Sequence, residues 1–537
     1  MQLRGQAASV GTAELLERTE ELSLLREQIG EVNEHSSGRL VLVAGEAGIG
    51  KTALLRSFCD DLDECSRVLW ASCDPLFTPR PLGPLLDVAR ETDGELRAQV
   101  EAGGKPHDVA AALLRELDSA RPTVLVLEDL HWADEATLDV VRLVWRRVKT
   151  VRALLIGSYR SEQLHRLHPL RSVLGELPRS SGASRLELLG LSPEAVRSLA
   201  EGSSLDADEL YARTAGNPFF VTEALAADTE LVPETVRDAV LARVARLGAA
   251  ARGLLDAVAV VPQRAEVWLL EALAPIALEA LDECVSSGIL RTEADGVAFR
   301  HELARLVVEE SLPLDRAIAL HRRALDALAE PAIGEPDLAR LAHHAEAARD
   351  AAAVLRFAPA AAKQAEALGS PREAKDQYAR ALRFAQGVGW QTRTELLEGF
   401  AQQCYLTDMR DEAITALDEA LAIHGSRGDV ARQGELLRFR SATLGCMGRF
   451  EEARSSVRKA RDVLEHGGTG CELQHARAAQ LLAALEDDIP GIIRWNSRVI
   501  ELAEEANDSE ALATALNNLG FAELMRGHEP GREKLER

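Results

Sequence analysis

Between Arg39 and Arg160 the chain alternates short, uninterrupted apolar runs with longer stretches in which apolar residues recur every three or four positions. The runs are RLVLVAG from 39, RVLWASC from 67, TVLVLED from 123 and RALLIGSYR from 152. Unbroken apolar character suits strands buried on both faces, so the pattern predicts a parallel sheet wrapped by helices. Beyond Ser192 strand patterns nearly vanish. Leu186 to Val232 reads as a small helical unit ending in TAGNPFFVTEAL, and short helices continue to about Ala329. Within them GILRTEADGVAFRHEL, from 288, predicts two brief strands flanking the turn Asp295-Gly296 and then a helix, the pattern of a winged-helix unit. EPAIGEP, residues 330–336, has the prolines and glycine of a linker.

Past the linker the chain repeats itself. REAKDQYARAL at 372, DEAITALDEAL at 411 and EEARSSVRKAR at 451 superpose with Ala374, Ala413 and Ala453 in register, and Ala381, Ala420 and Ala460 seven residues later. Small residues at fixed helical positions let neighbouring helices approach closely, so these segments predict stacked helix pairs in a tetratricopeptide-like solenoid. A unit near 490 is degenerate, and the next supplies one helix and ends inside its partner, where a capping element is expected. The repeats are therefore expected to be truncated, as in a partial reading of a longer protein. The predicted fold is an α/β domain at 39–185 after a helical segment at 1–38, then a helical lid at 186–232, a winged-helix-like domain at 233–329 and an α-solenoid at 330–537.

Charge narrows the picture. The 537 residues carry a net charge of -24, against nucleic-acid binding by bulk electrostatics. Seven scattered cysteines (Cys59, Cys65, Cys73, Cys284, Cys404, Cys446, Cys471) form no CxxC pair and support neither a zinc site nor a disulfide framework. No apolar stretch reaches membrane-spanning length, and a cytoplasmic setting without membrane contact is expected.

The chemistry sits at the ends of the predicted strands. Gly45 to Thr52, GEAGIGKT, fits GxxxxGK[ST] between an apolar strand and a helix, the context of a phosphate-binding P-loop. Backbone N–H groups of Gly45, Glu46, Ala47, Gly48, Ile49, Gly50, Lys51, Thr52 and Ala53 are expected to converge on phosphate oxygens, with Lys51 on the β- and γ-phosphates and the Thr52 hydroxyl on Mg²⁺. TVLVLED ends in Glu128-Asp129, one acid for Mg²⁺ and one to orient or deprotonate water, with the division between them open. Arg160 would lie beside the γ-phosphate if its strand neighbours the P-loop strand. Pro218 either packs on adenine or merely starts a helix. His301 reads as a packed or capping residue more readily than as a diphosphate contact. His343-His344 are adjacent, on different helix faces, and His165 and His168 lack an acidic or Cys partner between them, so metal is set aside at both places.

Together GEAGIGKT, VLVLEDLHWADEATLD, LLIGSYR and TAGNPFFVTEAL resemble the AAA-related signal-transduction ATPases with numerous domains, the STAND proteins. With CDPLFTPRPLGPLLD and FRHELARLVVEESL added, the chain is similar to the large ATP-binding LuxR-type transcriptional regulators of bacteria. The resemblance implies an ATP/ADP switch using Mg²⁺, with Lys51 and Thr52 at phosphate and metal, Glu128 and Asp129 as the Walker B pair, Arg160 sensing phosphate and Pro218 at the adenine. It places LLERTEEL, 15–22, beside the base, with Glu17 and Thr19 replacing the Gly and Glu of the commoner GRE form. It also implies an inducer on the repeats, nucleotide-dependent self-association, slow hydrolysis, and DNA contact only through a helix-turn-helix segment absent from these residues. An ATP-hydrolysing enzyme or motor, and an adaptor with a structural nucleotide site, stay open as alternatives.

Overall fold

The computed structural model describes residues 15–536 except 64–65, 74, 77, 93, 120, 167, 177–182, 228–234, 275–276, 294–295, 333, 468–469 and 525–529. The first fourteen residues of the expected amino-terminal segment, Cys65, Pro233 at an expected boundary and Asp295 of the expected turn lie outside the described residues. The chain divides into two compact units, Met1–Glu373 and Ala374–Arg537.

The first unit is built on a parallel sheet of β1 (Arg39–Ala44), β2 (Arg67–Ser72), β3 (Thr123–Glu128), β4 (Ala153–Tyr159) and β5 (Ala183–Glu187), in the order β2-β3-β4-β1-β5. Alternation sends Leu40, Leu42, Leu125, Leu127 and Leu155 into the core on one face, and Val41, Val43, Val124, Val126 and Ile156 into that on the other. Each such side chain contributes about 1.5–3 kcal/mol on burial, which is why the runs are apolar at every position. The four expected strands are present, and β5 is a fifth. It straddles the expected 185/186 boundary and went unread because it is an edge strand with only Leu186 buried, so its sequence has no apolar run.

The winged-helix region has one strand more than expected. β7 (Leu290–Thr292) and β8 (Gly296–Phe299) pair antiparallel, and β6 (Arg264–Glu266) adds to the other side of β8. β6 is three residues long with only Ala265 buried, too short to register as a pattern. The helices Leu338–Ala347 and Ala351–Ala367 belong to this first unit.

In the second unit the repeats are helix pairs, among them Arg410–Arg427 with Val430–Cys446 and Phe450–Glu465 with Glu472–Leu485. Ala374, Ala381, Ala413, Ala420, Ala453 and Ala460 are all fully buried, as a register set by close helix approach requires. The fold is thus a P-loop NTPase-like α/β domain followed by helical units and a tetratricopeptide-like solenoid. Among the described residues no helix is long and apolar enough to cross a membrane, and no two cysteines are bonded.

Candidate nucleotide site

The P-loop leaves the carboxyl end of β1 and runs straight into the Lys51–Asp60 helix. Gly50 caps that helix at φ 101°, a conformation side chains rarely adopt. At Gly48 a Cβ would come within 2.7 Å of the Cβ of Phe219, so close approach by another segment also demands glycine. Ile49 is buried in the core beneath the loop, while Glu46 is exposed.

Lys51 is 7% exposed, and its Nζ donates to the carbonyl oxygens of Gly45 at 2.7 Å and Glu46 at 2.8 Å. Burial lowers its pKa to about 8, against the pull of Asp129. Thr52 donates its hydroxyl to Glu128 Oε1 at 2.6 Å, while Trp70 Nε1 donates to Glu128 Oε2 at 3.0 Å. Glu128 is therefore the acid beside the Thr52 hydroxyl, two hard oxygen donors of the kind Mg²⁺ accepts.

Asp129 turns the other way. Its backbone is left-handed at φ 54° and its N–H donates to Ser158 Oγ at 3.0 Å. Strain of this kind collects where a side chain must be aimed. A quarter of its side chain is exposed, yet the surrounding protein raises its pKa to about 6, opposed by Arg160 3.9 Å away. Arg160 follows β4, which does neighbour β1, so the condition for its place beside the P-loop is met. Its guanidinium stacks over Trp132 at 4.5 Å, and its backbone N–H donates to His131 Nδ1 at 3.3 Å. Burial pushes the His131 pKa far down, so the ring is neutral.

Pro218 is the first residue of the Pro218–Ala226 helix, and the residues on either side of it bond to the P-loop. Asn217 Nδ2 donates to Ala47 O at 2.9 Å and Phe219 N–H donates to Gly48 O at 3.2 Å. Asn217 Oδ1 also caps the helix through the N–H groups of Phe219 and Phe220. Beyond them the Phe219 ring meets His301 at 4.4 Å, and burial lowers the His301 pKa to about 4. His301 thus packs against the lid from the winged-helix unit. His168 accepts from Leu170 N–H at 3.2 Å and approaches His131 O at 3.0 Å, serving a helix start.

Three more residues belong to this site: Glu17 and Arg18, in the LLERTEEL segment given by the resemblance alone, and Glu162, which was not foreseen. Buried Arg18 donates to Leu189 O at 2.7 Å and reaches Ile49 O at 3.4 Å. Glu17 beside it has φ 54°, where glycine is easiest, and its carboxylate accepts from both the N–H and hydroxyl of Ser192. Those bonds offset the backbone strain and account for a glutamate at the glycine position of the GRE form. Glu162 Oε1 accepts from Ala47 N–H at 2.9 Å, placing a carboxylate on a donor that P-loops offer to phosphate. For Glu162 no residue pattern gave a signal.

Residues 14–156 match the family model of the AAA ATPase domain. The chain therefore carries a nucleotide-binding AAA ATPase domain. An uncharacterized protein of Rhizobium meliloti (strain 1021) is 26% identical over 419 residues, 64% of this chain, and the match spans 40% of that protein's length. Among solved structures, a STAND protein with a tetratricopeptide repeat sensor from Pyrococcus horikoshii is 14% identical, with a TM-score of 0.46, over 95% of this chain and 86% of that one. A Walker-type ATPase of Pyrococcus abyssi is 15% identical, with a TM-score of 0.29, over 57% of this chain and 99% of its own.

Proposed function

We propose that the chain is an ATP-binding signal-transduction switch in which ATP and ADP favour different arrangements of the AAA domain, lid and winged-helix unit, and slow hydrolysis resets the state. The observation that carries this reading is the direct bonding of Asn217 and Phe219 to the P-loop carbonyls, with His301 packed behind. A P-loop that rearranges around a γ-phosphate has to be accommodated by the lid, which is the bistable contact a switch needs.

Mg²⁺, when bound, neutralises charge on the β- and γ-phosphates. Thr52 and Glu128 are the residues to hold it, since a hydroxyl and a carboxylate already meet there at 2.6 Å. Lys51 exchanges its two carbonyl acceptors for phosphate oxygens, a stronger charge-assisted bond. Asp129 orients or deprotonates the attacking water, being the acid that does not contact Thr52. Arg160, on the neighbouring strand and held by Trp132, reports the γ-phosphate. ADP seated with a closed lid is the resting form; an inducer taken up by the helical repeats favours exchange and self-association. We extend the output to transcription on the motif resemblance, with DNA contact assigned to a helix-turn-helix segment outside these residues.

The test is to identify the nucleotide that copurifies and to compare the ATP and ADP forms by size and limited proteolysis. Tightly held ADP, turnover on the order of one per minute or slower, and distinct cleavage patterns are expected. Identical size and protease sensitivity in the two forms would overturn the switch.

A further inference from the structure

Away from the nucleotide site, two consecutive helices of the first unit bring three histidines together. His321 lies on Leu314–Ala329, and His343 and His344 on Leu338–Ala347. Adjacency does turn the last two to different sides of their helix, but His321 approaches both, with ring centroids 5.8 Å from His343 and 5.1 Å from His344. His321 Nδ1 and His344 Nδ1 are 2.9 Å apart, and one ring nitrogen from each of the three lies within 4.8 Å of the others. The sequence-based rejection of metal weighed only the histidine pair; the third ring arrives from 22 residues earlier than His343.

We propose that His321, His343 and His344 form a site for a divalent transition metal of the zinc class, clamping the two helices to each other.

Four-coordinate zinc at about 2.0–2.1 Å from each nitrogen places its ligands roughly 3.3 Å apart. The His321–His344 separation of 2.9 Å is already close to that value, and the 4.8 Å limit for the trio is within reach of a small rotation of the His343 ring. His343 is half-buried, the least enclosed of the three rings.

A hydrogen bond between His321 and His344 does not use the second nitrogen of the latter. His344 is fully buried, and its Nε2 is shielded from solvent without a hydrogen-bond partner. Ligation through Nδ1, the nitrogen that faces His321, leaves the ring proton on Nε2. On the opposite side of the cluster Glu309 stands 3.9 Å from His321 Nε2. A carboxylate behind a ligating imidazole is the usual device for orienting the ring and raising its basicity. The nearby cations are themselves neutralised: Arg305 by Glu302 and Glu309, Arg340 by both oxygens of Glu266. An all-imidazole donor set selects zinc, nickel, copper or cobalt over Mg²⁺, so this site and the P-loop draw on different ions.

The experiment is a Co²⁺ titration of the full chain, freed of metal by chelation and kept in excess Mg²⁺ without nucleotide. One equivalent of Co²⁺ should bind with the visible absorption of a low-coordinate, nitrogen-rich site, and Zn²⁺ should displace it and raise the melting temperature. His343→Ala, at the most exposed ring, should weaken binding at least tenfold and remove the Zn²⁺-dependent rise, with circular dichroism unchanged. If that variant does not fold, His343→Asn keeps the bulk and should show the same loss. A wild-type chain that leaves Co²⁺ with its aqueous spectrum, or a folded His343 variant that binds as tightly as wild type, would overturn the site and leave a hydrogen-bonded trio.

Discussion

Two groups of acids begin within seven residues of chain, at Glu128 and at Asp134, and the fold stabilises them by different means. Glu128 and Asp129, at the end of β3, face Lys51, Arg160 and the Thr52 hydroxyl. Asp134, six residues past Glu128, faces backbone N–H groups and the Thr137 hydroxyl. It accepts from Thr137 N–H at 2.9 Å and Leu82 N–H at 3.2 Å, at the start of the Glu135–Arg146 helix. That helix start has further visitors from 370–373. Ala136 N–H donates to Ser370 Oγ at 3.2 Å, Glu135 N–H donates to Glu373 Oε1 at 3.3 Å, and Arg372 Nε meets Glu135 Oε1 at 2.6 Å. Three of the N–H groups that a helix start leaves without intrahelical partners are thus answered by side chains, two of them more than 230 residues away.

The difference is one of charge compensation. Mobile cationic side chains can exchange partners when a phosphate arrives, so the first group is suited to chemistry. The N–H groups and hydroxyl fixed around Asp134 cannot, so the second is suited to holding segments together. Burial raises the pKa of Asp134, and burial with Asp134 and Glu135 raises that of Glu373. Glu373 Oε2 is shielded from solvent and has no hydrogen-bond partner, as a neutral carboxyl tolerates and a carboxylate does not.

The sharpest break of this comparison is Asp129→Asn. If the first group performs chemistry, hydrolysis should fall by about 1000-fold, within the range for general-base removal, while nucleotide affinity stays nearly unchanged. Wild-type turnover should rise as pH passes through about 6, where Asp129 ionises, and the variant should lose that limb. Turnover can be followed by phosphate release.

Lys51→Ala comes next and acts on binding. Loss of its charge-assisted contacts should weaken ATP affinity by about 100-fold, measured with a fluorescent analogue. In the wild type, affinity should decline above pH about 8 as Lys51 gives up its proton.

For the second group the measurement is stability against pH. A carboxyl whose folded pKa is raised contributes stability below its unfolded value, 4.5 for Glu373, and that contribution is lost as pH rises through the folded value. Glu373→Gln should therefore melt at a higher temperature than wild type at pH 9 and close to it at pH 4. A wild-type profile no steeper than the variant's would show that Glu373 ionises freely and that the comparison fails. Ser370→Ala has the smallest expected effect, about 1 kcal/mol by chemical denaturation, from one helix-start N–H left unmet.

Much of the molecule was legible in its residues because the physics is local. Four strands appear as apolar runs, the P-loop as glycines at fixed spacing, and the repeats as alanines seven apart, since burial, turn conformation and helix approach each act over a few positions. Glu128, Asp129 and Arg160 drew notice for the same reason, each standing at or just past the end of such a run. β5 and β6 were not, because an edge strand and a three-residue strand bury too little to need a pattern.

What only the tertiary structure decided are relations between distant positions. Glu128 rather than Asp129 meets Thr52 because β3 and the P-loop helix converge across 76 residues. Asn217 and Phe219 bond to the P-loop, Arg18 closes against Ile49 and Leu189, and His321 meets His343 and His344. In each case the partner is chosen by packing rather than by spacing. The residue types alone show that a charge or a ring must find company, while the fold determines which company is within reach.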